Sequence, residues 1–359
     1  MPVRISLLGS GALAHALCHA LARTLCEPAE VTVLARNGAS AADLCYTATV
    51  TARLAGRPVT FDPVVAELGR EGGATSLFTA LRPDGLVVCA SPQSPWEGLR
   101  RPSAWTDLVD RAGFGLTLPL QAELAVWAGR GLGLARPRAW LVNACFPDAT
   151  NAVLVALGIP VCCGIGNVAT LAAGLQCALG LTDQRRLQVV AHHAQARAPR
   201  HSGDEALVWL DGKPCTDTTT LLAAHQSIGR PVLNLITGQV GALLLDAMVT
   251  GAECATHAPG PLGLPGGYPI LIRDGVPRLR LPPGLNQAEA VAANQRAAVW
   301  DGVVVADGQI RFSPAAAAEL RQEAPQLADG LPAAHIARAS GCLREVRDRL
   351  RAQPSQRAR

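Results

Sequence analysis

Aromatic residues make up only 4% of this 359-residue chain and charged residues only 17%. With 49% of the residues hydrophobic, Ala, Leu and Val must supply the core, and a disordered polyelectrolyte is excluded. The net charge of +4 is spread thinly, with no basic run before the arginine-rich C-terminus, so a nucleic-acid partner is not expected. No apolar run approaches the roughly 18 residues that a membrane span needs. The N-terminus runs straight into a strand pattern with no basic leader or cleavage site, so the expectation is a soluble, cytoplasmic protein without a membrane partner. No CxxC and no Cys/His cluster of zinc-finger spacing occurs. The eleven cysteines therefore read as small buried apolar residues, and neither a disulfide nor a metal is expected.

What is present is organised around Val3 to Arg36. Ile5-Ser6-Leu7-Leu8 reads as a buried parallel strand, followed at once by Gly9-Ser10-Gly11-Ala12-Leu13-Ala14. Gly9 permits a tight turn, Gly11 close approach of backbone to a pyrophosphate, and Ala14 close seating of the next helix. That helix, Ala12 to Leu25, carries Leu13, Leu17, Leu21 and Leu25 on one face. A second strand, Val31 to Leu34, arrives about 20 residues after the glycines, where a cofactor ribose would lie. It ends in Ala35-Arg36-Asn37 rather than in Asp or Glu, and a guanidinium there favours a 2′-phosphate. The expected cofactor is NADP, with NAD as the alternative.

Further along, Gly38 to Leu44 is expected to begin a short helix and Thr47 to Leu54, rich in β-branched residues, to form a strand. Leu86 to Ala90 is another buried strand, running into Ser91 and a Pro- and Gly-punctuated loop to Pro102 that suits a cover over a site. Asn143 follows the strand from Ala139 to Val142, placed to hydrogen-bond a nicotinamide or a substrate oxygen. Gly9, Ser10, Gly11, Ala12, Leu13, Arg36, Ala90, Ser91 and Asn143 form the candidate cofactor set. Strand Leu187 to Val190 runs into Ala191-His192-His193, and Asp-Gly pairs at 211, 274 and 307 mark hairpins. The chain divides into a dinucleotide-binding unit (1–150), a mixed α+β unit (151–300) and an extension (301–359) ending in a tail expected to fray.

From Val3 to Val299 the chain resembles, divergently, the lactate and malate dehydrogenase superfamily. The resemblance rests on an ordered set: LLGSGALAHAL, VVCASPQSPWEGLRR, LVNACFPD, CGIGNVATLA, VVAHHAQ and GLPGGYPILIRDGVPRL. It implies a Rossmann doubly wound parallel sheet with a mixed α+β C-terminal substrate domain, and a homo-oligomer, dimer or tetramer. It also assigns roles: His193, or His192 one register away, as proton donor and acceptor; Arg100, or Arg101, as the lid residue that polarises a carbonyl; and Asn143 beside the nicotinamide. Histidine suits the task because both its forms are accessible near neutral pH.

The departures narrow the activity. Where the family has an aspartate to hold the histidine, this chain has Thr170, and where it has an arginine to clamp a substrate carboxylate, Ala173. No Arg or Lys lies between Asn167 and Thr182 to restore the fork that a small carboxylate needs. Asp148, Asp204 or Glu205 are the candidates to replace the missing acid. The expected function is an NAD(P)-dependent oxidoreductase acting on a carbonyl, imine or dehydro group of a bulkier, less anionic small molecule or peptide, as in specialised-metabolite or peptide biosynthesis. A catalytically impaired cofactor-binding partner or regulatory protein is the alternative. Ketopantoate-reductase-like and opine-dehydrogenase-like proteins, with all-helical second domains, fit the strand-rich second half less well.

Overall fold

Six short apolar runs pair side by side, all parallel, into the sheet that organises the molecule. The computed structural model describes residues 1–67, 72–197, 199, 203–229 and 231–356. The strands are β1 (Val3–Leu8), β2 (Ala29–Ala35), β3 (Val59–Val65), β4 (Gly85–Val88), β5 (Trp140–Asn143) and β6 (Cys163–Gly164), in the order β3-β2-β1-β4-β5-β6. The chain leaves β1 toward one side and later returns to its other side as β4, so a crevice opens between their carboxyl ends. This is a Rossmann doubly wound sheet. Helices cover both faces: α1 (Ala12–Thr24), α2 (Gly38–Leu54), α3 (Gly73–Leu81), α4 (Glu97–Arg100), α5 (Ala104–Ala112), α6 (Leu118–Ala135) and α7 (Pro147–Ala156).

The second half is mixed α+β. It contains α8 (Asn167–Ala178), α9 (Thr218–Ser227), α10 (Asn234–Thr250) and α11 (Gln287–Asp301), with three-stranded antiparallel sheets. Strand β7 (Leu187–Val190) pairs with the Leu207–Leu210 strand, and the Gly267–Arg273 and Val276–Leu279 strands form a hairpin. Asp211-Gly212, Asp274-Gly275 and Asp307-Gly308 each turn with both φ angles positive, as tight hairpin turns require. The last stretch adds the hairpin Val303–Phe312, α12 (Pro314–Glu323) and α13 (Ile336–Arg351). No helix among the described residues is long and apolar enough to cross a membrane.

Two expectations are corrected. Thr47 to Leu54 is no strand but the second half of α2. Ala41, Leu44, Cys45, Ala48 and Ala52 are buried at helical spacing, and that face outweighs β-propensity. The threonines fit because Thr47 Oγ1 donates to the Asp43 carbonyl at 2.9 Å and Thr51 Oγ1 to that of Thr47 at 2.8 Å. The strand lies later, at β3, on the sheet edge where Pro63 costs no ladder bond. The tail is not frayed as far as Gln356: Ser355 Oγ donates to Asp107 Oδ1 and the Gln356 amide to Asp107 Oδ2, both at 2.8 Å. Residues 357–359 lie outside the described residues.

Helix α13 belongs to the same apolar core as α5, α6 and β4, with Ile336, Leu343 and Leu350 buried in it. Leu343→Ala is therefore expected to cost about 2–5 kcal/mol. Leu134→Ala, at a side chain 76% exposed, should cost less than about 0.5 kcal/mol. Denaturant unfolding of both variants checks this.

Candidate active site

The glycine turn lies at the mouth of the crevice. Gly9 has φ +126°, and a Cβ there would meet the backbone of Cys89 at 3.0 Å, so only glycine lets the ends of β1 and β4 come this close. Gly11, by contrast, faces open space: no atom lies within 4 Å of where its Cβ would stand. It is the N-cap of α1 and supplies no side-chain cap, so the first amides of that helix are left for a ligand. Ser10, Ala12, Leu13, Ala90 and Ser91 line the same cleft of about 2220 Å³. Arg36 lines it too, exposed at the end of β2. Asn37 beside it caps α2 by accepting from the Ser40 amide at 3.1 Å. These residues fit a dinucleotide, with the pyrophosphate at Gly11 and the ribose near Arg36.

His193 stands on the far wall, in the turn that follows β7. Its Nδ1 is 2.6 Å from Asp301 Oδ2. Its backbone N–H donates to Asp148 Oδ1 at 2.9 Å. The ring packs against Phe114 (centroids 5.4 Å apart, tilted) and Phe146 (5.3 Å, edge-on), which also touch each other. Phe146 is held at φ +45°, a left-handed conformation that costs a bulky residue energy and occurs here against the histidine. His192, fully buried, places its own Nδ1 3.3 Å from the same Asp301 oxygen. That nitrogen also lies 3.2 Å from the Ala194 amide; protonated it donates to Asp301, unprotonated it accepts from Ala194.

Burial pushes the Asp301 carboxyl up, but the two imidazoles more than reverse this and hold it well below the usual carboxylate range. Burial pulls the His192 imidazole down, yet the bond to Asp301 and the charges of Asp148 and Asp301 leave it raised. Burial raises the Asp148 carboxyl, whose Oδ2 has no hydrogen-bond partner among the described residues.

The acid that orients His193 is thus Asp301, which sequence reasoning missed. Thr170 sits buried on α8 with its hydroxyl spent on the Asn167 carbonyl. Asp204 and Glu205 give backbone carbonyls to Gln195 Nε2, while the Glu205 carboxylate accepts from the Gly203 amide. Asp148 fixes the backbone of His193 rather than its ring. One signal for Asp301 existed: an acid in the last turn of a helix, before Gly302, opposes the helix dipole and asks for a compensating partner.

Other candidates fall differently. Asn143 is fully buried and does not line the cleft. Its Nδ2 donates to Cys145 O and Asn151 Oδ1, and its Oδ1 accepts from the Cys145 amide. The amide is consumed in shaping the turn after β5, which removes it from contact with nicotinamide or substrate. Arg100 lies exposed on α4 at the cleft rim. The segment carrying it is clasped from outside: Arg351 donates Nε and Nη2 to Glu97 at 2.5 Å, and Arg347 Nη1 donates to the Pro92 carbonyl at 3.0 Å. Gln93 links inward, accepting from Trp105 Nε1 at 3.1 Å and donating to Glu97 Oε2 at 2.9 Å. Arg344, from the same helix α13, pairs with Glu123.

No family model and no curated protein matches this sequence. Solved structures do. The lactate dehydrogenase of Cryptosporidium parvum, complexed with lactic acid and nicotinamide adenine dinucleotide, matches at 13% identity over 84% of this chain and 97% of its own (TM-score 0.54). The lactate dehydrogenase of Eimeria maxima, with NADH and oxamate, is 16% identical over 83% and 91% (TM-score 0.52). The malate dehydrogenase of Picrophilus torridus is 14% identical over 83% and 94% (TM-score 0.54). At these identities the likeness is one of fold, and this chain has that fold.

Two outcomes are expected from the site. The depressed Asp301 contributes stability that is lost as pH falls below about 4, and the raised His192 contributes stability that is lost as pH rises above about 6.5. The gap in melting temperature between wild type and Asp301→Asn should thus be widest between those values and close on both sides. Arg351→Ala should speed amide hydrogen exchange across residues 91–101. Arg349→Ala, which breaks a more exposed pair with Glu323, should leave that segment unchanged.

Proposed function

We propose that the chain is an NAD(P)-dependent oxidoreductase that moves a hydride to or from a carbonyl, imine or dehydro group. The observation that carries this reading is the His193–Asp301 contact of 2.6 Å across a cleft wall from an uncapped glycine turn. The cleft offers a place for a dinucleotide on one side and an oriented proton carrier on the other.

A nicotinamide dinucleotide, when bound, supplies or accepts the hydride. Gly9, Ser10, Gly11, Ala12 and Leu13 would hold its pyrophosphate through backbone, and Arg36 its ribose side, which favours NADP over NAD. The rest falls to the chain's own side chains. Asp301 accepts from Nδ1–H of His193, which fixes the tautomer and leaves Nε2 as the nitrogen for the substrate. In reduction Nε2 gives up a proton to the reacting heteroatom; in oxidation it takes one. The charged imidazole, spent in reduction and formed in oxidation, is stabilised by Asp301, which burial isolates from water. Phe114 and Phe146 exclude water from the ring.

The substrate is bulkier and less anionic than a 2-hydroxy acid, because α8 presents Thr170 and Ala173 and no cation. Residues 1–150 hold the dinucleotide, 151–300 bring the histidine, and 301–359 close the site. A cytoplasmic homo-oligomer, dimer or tetramer, acting on a small-molecule or peptide substrate completes the proposal.

Cofactor fluorescence with NADPH and NADH tests it. Arg36→Ala should weaken NADPH about tenfold, the loss of one charge-assisted contact, and change NADH little. Absence of binding by either cofactor at millimolar concentration would overturn the reading and leave the non-enzymatic partner protein in its place.

A further inference from the structure

The wall around His193 is acidic and aromatic. Asp148, 1% exposed, lines the cleft and spends Oδ1 on the His193 amide, while Oδ2 is buried without a donor among the described residues. A buried carboxylate oxygen with no partner is costly and rare, and at the wall of a ligand cleft the missing donor is most simply supplied by the ligand. Phe114 and Phe146 pack edge-to-face on each other, centroids 5.2 Å apart, and together against the histidine, and both line the cleft. The cationic side chains that line the same cleft are paired or exposed: Arg344 and Arg351 are joined to Glu123 and Glu97, Arg347 to Pro92 and Asp348, and Arg36, Arg100 and Arg197 are exposed.

Resting on the oxidoreductase reading, we infer that the substrate presents a cationic, hydrogen-bond-donating nitrogen to Asp148, an amine in one direction and its iminium in the other. An N–H donor would satisfy Oδ2, and the positive charge would be favoured both by the carboxylate and by the aromatic rings. It would also offset the burial that raises the Asp148 carboxyl. The step balances. With a hydride taken up at the iminium carbon, which a bound reduced nicotinamide would supply, the C=N π pair becomes the lone pair on nitrogen. That lone pair takes the proton from His193 Nε2, so an iminium and an imidazolium give an ammonium and a neutral imidazole. Oxidation runs the same sequence backward. A carboxylate in this position would face Asp148, a repulsive arrangement.

The test is calorimetric titration of the full chain with benzylamine, benzyl alcohol and oxamate at pH 7.5, with and without NADPH. Benzylamine is expected to bind at least about tenfold more tightly than either other probe. Asp148→Asn, which keeps an acceptor for the His193 amide, should erase that advantage while leaving benzyl alcohol unchanged. Tighter binding of oxamate, equal weakening of amine and alcohol in Asp148→Asn, or no change in the amine would each overturn the inference. Because the amine titrations are also made without NADPH, failure to bind the cofactor registers separately, against the oxidoreductase reading alone.

Discussion

A carboxylate at the C-terminal end of a helix, buried, has every local reason to be protonated or absent. The last carbonyls of α11 already concentrate negative charge around Asp301, and burial removes the water that would screen it. It is kept as an anion because two imidazoles reach the same oxygen. The dependence is mutual, since that oxygen is the partner of His193 Nδ1. Everything else near the site serves the pairing. Gly113 and Gly115 are glycines because a Cβ at either would meet the Asp301 carbonyl, at 2.5 and 2.7 Å. Asp148 holds the His193 backbone, and Gly302 at φ +93° turns the chain sharply away after the acid.

This arrangement gives the terminal segment its position. Once α11 delivers its last residue to His193, the chain continues directly into the Val303–Phe312 hairpin and then α13, which packs on α5 and α6. From there Arg347 and Arg351 reach the 91–100 segment that lines the cleft. A loop rich in proline and glycine, which alone would sample many conformations, is thereby tied to a helix more than 240 residues away, as the separations of 255 and 254 between the paired residues show. The exposed Arg100 sits on that tied segment, so its position is inherited from α13.

The fold is shared with lactate and malate dehydrogenases. In this chain the acid on the histidine comes from the end of α11, and α8 carries neither an acid nor a cation. An orienting carboxylate can come from any element that reaches Nδ1, because it needs only one contact in line with one N–H. A carboxylate clamp needs two parallel donors at a fixed distance from the reacting carbon. The first requirement is easily met from many directions; the second is not.

The sequence by itself determined the local units: the Gly9 to Ala14 turn between β1 and α1, the Asp-Gly hairpins, and the histidine after β7. Each depends on residues adjacent in the chain, through glycine's access to positive φ and the periodicity of apolar side chains. It misread α2, because the β-branched threonines speak locally for a strand, while the face formed by Ala41 to Ala52 is decided by burial against the sheet. Tertiary packing alone brings Asp301 to His193, 108 residues earlier, consumes Asn143 within its own turn, and ties α13 to the segment carrying Glu97. Those are contacts between side chains distant in sequence, and no local pattern encodes which of several acids or amides will arrive at a given nitrogen once the layers have packed.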